Sequence, residues 1–154
     1  MTVKQAVRRQ YQAIVDQAAV QMGTLGIPVE GWLRTTRKAL GMSGAQLARR
    51  MQVTRARVTN AEQAERDGGI TIKSMQAAAE AMGCRFVYAI VPATKVNDVL
   101  EAQAQKKAQA LVGTASQHMA LESQVLPADK IAQEIDSVAR DILHEMPPDF
   151  WNGK

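Results

Sequence analysis

Arg49, Arg50, Arg55 and Arg57 stand within nine residues, and Asn60 follows three residues after the last of them. A guanidinium is a planar fork of N–H donors that matches a phosphate or the O6/N7 edge of guanine, and an asparagine amide matches the N6/N7 edge of adenine. From Arg34 to Arg57 there are seven basic residues and no acid. Leu47, Ala48, Val53 and Val58 are threaded through the cluster, which a purely solvated cationic run does not need. The surrounding charge is lopsided as well. Residues 1–67 hold eleven Lys/Arg against five Asp/Glu, whereas residues 68–154 hold eight against ten. One part of the chain is therefore built to face a polyanion, and the remainder has another task. RNA fits less well than duplex DNA, because no stacking aromatics accompany the cations.

The elements that must hold these residues can be read from the punctuation. Ser43 is placed to cap a helix over 44–51, and Thr54 to cap a second over 55–64. The join of about three residues is helix-turn-helix spacing. Ala48 supplies the small residue where the two helices cross, and Leu47, Val53 and Val58 form the wedge that locks the angle. The N-terminal face of the second helix then presents Arg55, Ala56, Arg57, Thr59 and Asn60 as base readers in the major groove. Arg37, Lys38, Arg49 and Arg50 lie on flanking surfaces as phosphate ligands. Ser43, Gly44, Gln46, Thr54, Thr71 and Lys73 join them at or near helix N-termini, where backbone amides favour phosphate. A preceding helix spans about 30–40, with Leu33 and Leu40 inward, and Gly41 closes it. After the loop 66–69, Thr71 caps a helix that ends near Met82 and Gly83.

Outside this block the texture differs. Residues 2–22 carry Val3, Val7, Ile14, Ala18 and Met22 on one helical face, with Tyr11 between, and the run GTLGIP ends that helix. The stretch CRFVYAIVP (84–92) is rich in β-formers and closes at Pro92, so it reads as a strand. A lone strand leaves its backbone groups unpaired, so Arg85, Phe86, Val87, Tyr88, Ala89 and Ile90 are expected to pair with the same strand of a second subunit. Helix returns over 95–124, with Val96, Leu100, Ala104, Ala108, Leu111, Ala115 and Met119 in one stripe. Asp129 is expected to cap a last helix that turns Ile131, Ile135, Val138, Ile142 and Met146 inward. Phe150 and Trp151, in the tail after Pro147–Pro148, carry two of the six aromatics. They either pack back on C-terminal helices or anchor a partner protein. The divisions are 1–28, N-terminal helix and linker; 29–83, DNA-binding domain; 84–92, dimerisation strand; and 93–154, helical extension and tail.

Composition excludes several classes. Aromatics are 4% of the 154 residues, which disfavours a β-sandwich. Cys84 is the single cysteine, so no intrachain disulfide forms and a reducing compartment is expected. No apolar run approaches the ~20 residues of a membrane span, and no secretory core opens the chain. A cytoplasmic, nucleoid-associated protein with no membrane partner is expected. His118 and His144 stand apart from each other and from Cys84, which predicts no metal and no cofactor. Asp136, Asp141 and Glu145 form a solvated face without a nucleophile, so no enzyme is expected.

The run WLRTTRKALGMSGAQLARRMQVTRARVTNAE resembles the helix-turn-helix of the lambda-repressor/Cro (Xre-like) family. The resemblance covers about residues 31–83 and rests on L-R-x-x-R, on S-x-x-x-L-A, on V-T at the turn and on Glu62 after the recognition helix, where it reads as structural. Gly44 stands where that family usually carries Gln, which passes a phosphate contact to a backbone amide or to Gln46. Gln52 stands where Gly is usual, and with a positive φ it costs about 1 kcal/mol. Together with CRFVYAIVP, the longer pattern resembles the mobile mystery protein A family. That resemblance implies an operon-linked regulator paired with a Fic-domain protein in a toxin–antitoxin-like arrangement. The expected fold is mostly α: a lambda-repressor-like helix-turn-helix core, one C-terminal β-strand in an intermolecular ribbon, and extra C-terminal helices. The expected function is sequence-specific binding of double-stranded DNA by a homodimer on a palindromic operator, repressing its own operon. The alternative is an antitoxin that binds the Fic-domain partner directly. No Ser or Thr stands four residues before a Glu, so the S/T-x-x-x-E-G/N pattern of known Fic-inhibitory helices is missing.

Overall fold

The computed structural model describes residues 2–123 and 125–153. Among them the helices are α1 (Val3–Met22), α2 (Trp32–Ala39), α3 (Gly44–Met51), α4 (Arg55–Asp67), α5 (Ile72–Ala81), α6 (Val96–Leu121) and α7 (Ala128–Glu145). The expected strand is not there. Residues 84–95 run as irregular chain, and no described residue is in a strand. The β-forming side chains of 85–91 are present, but a strand exists only where a neighbour accepts its N–H and C=O groups. Among the described residues no other segment is paired with it as a strand. The correct class is all-helical, and the ribbon through Arg85–Ile90 is withdrawn.

The chain divides into two units, Thr24–Ala89 and the flanking segments that end at Gly23 and resume at Ile90. The first holds α2–α5. Eight-residue helices such as α2 and α3 are too short to persist alone, so caps and burial must hold them. Ser43 Oγ accepts from Gln46 N at 3.1 Å, and the Gln46 side chain answers by accepting from Ser43 N at 2.8 Å. Thr54 and Thr71 cap α4 and α5 through the amides of Arg57 and Ser74. Leu33, Leu47, Ala48, Val58, Met75, Ala78 and Met82 close the core, with Val53 packed against it. Each large apolar side chain so buried contributes about 1.5–3 kcal/mol.

Gln52, between α3 and α4, adopts φ 57 and ψ 43. The turn therefore demands the left-handed conformation where this chain has no glycine. α4 runs on through Asp67, so the loop expected over 66–69 starts later.

The other unit packs α6 against α7, with α1 against α6. Its core is Leu100, Ala104, Ala108, Ala139, Ile142 and Phe150. The small residues of α6 let the helices approach closely. The inward stripe follows 100, 104, 108 and then Val112, whereas Leu111 is exposed. Asp129 does not cap α7; Pro127 occupies the N-cap and Asp129 sits in the first turn. The α1 stripe does not face inward either, since Val3, Val7, Tyr11 and Ile14 are all exposed. Helical period identifies a stripe but not what covers it.

Candidate nucleic-acid interface

α4 lies across α3 with Val58 and Glu62 buried beneath it. That orientation turns Arg55, Ala56, Arg57, Thr59 and Asn60 to solvent, and all five are exposed. Thr59 Oγ1 donates to Arg55 O at 3.2 Å, a bond within the helix. Among the described residues no ion pair engages Arg49, Arg55 or Arg57. Arg55 Nε comes within 4.0 Å of where a Cβ on Gly44 would stand, so the second helix's first arginine overhangs the start of α3.

Arg57 and Asn60 line a hollow of about 480 Å³ together with Thr54, Thr71 and Ser74. The N-terminal turns of α4 and α5 thus open on one concavity. Their amides and positive dipole ends favour an anion there, with the Arg57 fork beside them. Lys73 is exposed on the first turn of α5. A second hollow, of about 400 Å³, gathers Gly41, Met42, Gln46, Arg49 and Arg50. Ser43 and Gly44 mark the α3 N-terminus. The Gln46 carbonyl is engaged by the Ser43 amide.

Three of the expected basic phosphate ligands have work inside the protein. Arg37 Nε donates to Glu62 Oε1 at 2.6 Å and Nη2 to Glu62 Oε2 at 3.2 Å, while Nη1 donates to Met42 O at 3.0 Å. The pair is largely buried, and the Glu62 carboxylate holds the Arg37 guanidinium above its ordinary value. Arg37 is thus committed to tying α2 and α4 together, and Glu62 has the structural role its position suggested. Lys38 Nζ binds both carboxylate oxygens of Glu30 at 3.0 Å, which holds that exposed acid below its usual range. Arg50 Nε donates to Ala81 O at 2.5 Å and fastens the end of α3 to the end of α5.

Glu65 is a determinant that sequence reasoning missed. Its Oε2 accepts from Trp32 N at 2.6 Å and its Oε1 from Leu33 N at 2.8 Å, so α4 caps α2. Gly31 precedes them at φ 83, and a Cβ there would stand 2.9 Å from Oε1. Only glycine allows the approach. The partners are 32 and 33 residues apart, so no local pattern announces this cap.

This geometry coincides with a sequence relationship. Residues 33–88 match the family model described as Helix-turn-helix. The helix-turn-helix of that match is α3 and α4, held by α2 and α5. No curated protein and no solved structure matches the chain. No helix among the described residues is long and apolar enough to cross a membrane.

In the other unit, the two expected anchor residues have different fates. Phe150 is 1% exposed and packs into its own α6/α7 core, so it cannot serve as an anchor for a partner. Trp151 meets it edge-on at 4.9 Å and remains 56% exposed.

Proposed function

We propose that the chain represses transcription by sequence-specific binding of double-stranded DNA, with α4 in the major groove. The reading rests on one observation above all: five exposed residues on the first turns of α4 carry two free guanidinium forks and an amide, with no acid among them. Arg55, Arg57 and Asn60 read base edges. Arg49 and Lys73 neutralise phosphate, and the α3, α4 and α5 N-termini at Ser43, Thr54 and Thr71 add amide contacts. Arg50 and Lys38 reach phosphate only by leaving their present bonds.

A homodimer on a palindromic operator, with half-site centres about 34–36 Å apart, suits such a module. Val87, Tyr88 and Ile90, all exposed, would be covered by a second copy through side-chain packing. Tyr88→Asp with Ile90→Asp should convert the dimer to monomer in sedimentation. If Val7→Asp with Ile14→Asp does so instead, the contact belongs to the α1 stripe.

The resemblance to the mobile mystery protein A family makes the operator the chain's own upstream region and a Fic-domain protein its operon partner. Footprinting there at two salt concentrations tests the reading. Arg57→Ala should weaken the operator by about 1–3 kcal/mol and relax preference at one base. Arg49→Ala should weaken all DNA alike and lower the salt slope by about one. Equal loss on every sequence for Arg57→Ala would make it a phosphate contact.

A further inference from the structure

Charge also gathers in the unit that lacks the helix-turn-helix. A cavity of about 470 Å³ is lined by Arg8, Arg9, Gln12, Arg140 and His144, with Leu100 and Leu143 as its apolar floor. Gln5 and Asn97 complete the wall. The arginines come from α1 and α7, at opposite ends of the sequence, and α6 supplies the floor. No carboxylate lines the cavity. Among the described residues, none of the three arginines has an ion-pair partner. The two acids beside the lining residues on α6, Asp98 and Glu101, accept from Lys95 N at 3.2 Å and from Asn97 Nδ2 at 2.6 Å.

Three like charges brought into one concavity repel one another unless an anion joins them. Guanidinium forks favour oxyanions with several acceptor oxygens. A concave apolar floor beneath polar walls suits a small organic molecule better than the convex backbone of a duplex. We propose that this cavity binds a small organic phosphate: the phosphoryl oxygens sit between Arg8 and Arg140, Arg9 closes the rim, and the organic part rests on Leu100 and Leu143. The site lies outside the helix-turn-helix and does not depend on the operator reading.

Calorimetric titration of the full chain with inorganic phosphate, pyrophosphate and adenosine monophosphate tests it. Pyrophosphate or the nucleotide should bind, with the nucleotide tighter than inorganic phosphate because it uses the floor. Arg8→Ala and Arg140→Ala should each weaken the probe about tenfold or more, with Arg140→Lys intermediate. Lys130→Ala, which removes an exposed charge outside the cavity, should leave binding unchanged. Circular dichroism without ligand confirms that the variants fold. Absence of binding by all three probes overturns the proposal, as does binding that survives Arg8→Ala with Arg140→Ala. If that double variant loses affinity for every DNA and lowers the salt slope by about two while the probes never bind, the cavity is a DNA backbone contact instead.

Discussion

The two units stabilise their helices by different means. In Thr24–Ala89 the helices are short, and each has a specific polar tie: Ser43, Thr54 and Thr71 at their own N-termini, Glu65 for α2, and Arg37–Glu62 across the core. The other unit has 20-, 26- and 18-residue helices. There α1 and α6 are also capped, by Thr2 with Gln5 and by Asp98 and Asp16, but α7 has no side-chain hydrogen bond at its cap and the α6–α7 seam is built of small apolar residues. Short elements need directional bonds to fix their angles, because they bury too little to do so by packing. Long ones can rely on area. The contrast fits the proposed function, since reading bases requires an exposed helix held at a defined angle.

Breaking the buried tie should have the largest effect. Glu62→Ala strands the Arg37 guanidinium and should cost about 3–5 kcal/mol in urea unfolding. Hydrogen exchange should then rise across α2–α5 while α6 and α7 stay protected. Simultaneous loss of protection everywhere would mean that the units do not unfold separately. In the area-dependent unit the sensitive change is one of volume. Ala108, fully buried, should not accept Leu without a loss of about 1–3 kcal/mol by the same measurement.

Caps sharpen the comparison further. Ser43→Ala should cost about 1 kcal/mol, whereas Asp129→Ala, which removes only a favourable charge from the first turn of α7, should cost about 0.3–1 kcal/mol at low salt and less at high salt. Equal losses at both would erase the distinction. The smallest effect should have the opposite sign. Gln52→Gly relieves the left-handed turn and should raise the unfolding free energy by up to about 1 kcal/mol, and the midpoint with it. An unchanged midpoint would show that Gln52 makes up its strain elsewhere.

Local signals carried much of the fold. The limits of α3 follow from Ser43 and the turn before Thr54, and the strain at Gln52 follows from the residue type at that position. What escaped was decided at long range. Glu65 and Asp16 cap helices that begin 33 and 80 residues away, the latter by accepting from Val96 N at 2.9 Å. The β-forming run after Gly83 had no partner to make it a strand. Phe150 went inward because α6 and α7 left room beside Ala104 and Ala108. At the interface, residue types marked the exposed face of α4. They did not distinguish Arg37, spent on Glu62, from Arg57, which is free.

The order of the chain through the two units bears on how the protein is made. α1 belongs with α6 and α7, yet residues 24–89, a whole unit, are synthesised between them. At about 5–20 residues per second, roughly 4–15 s separate the release of α1 from the first turn of its partner. During that interval the helix-turn-helix unit can complete its own core, while α1 has no α6 to dock on. A chaperone that holds amphipathic segments would find its substrate in α1.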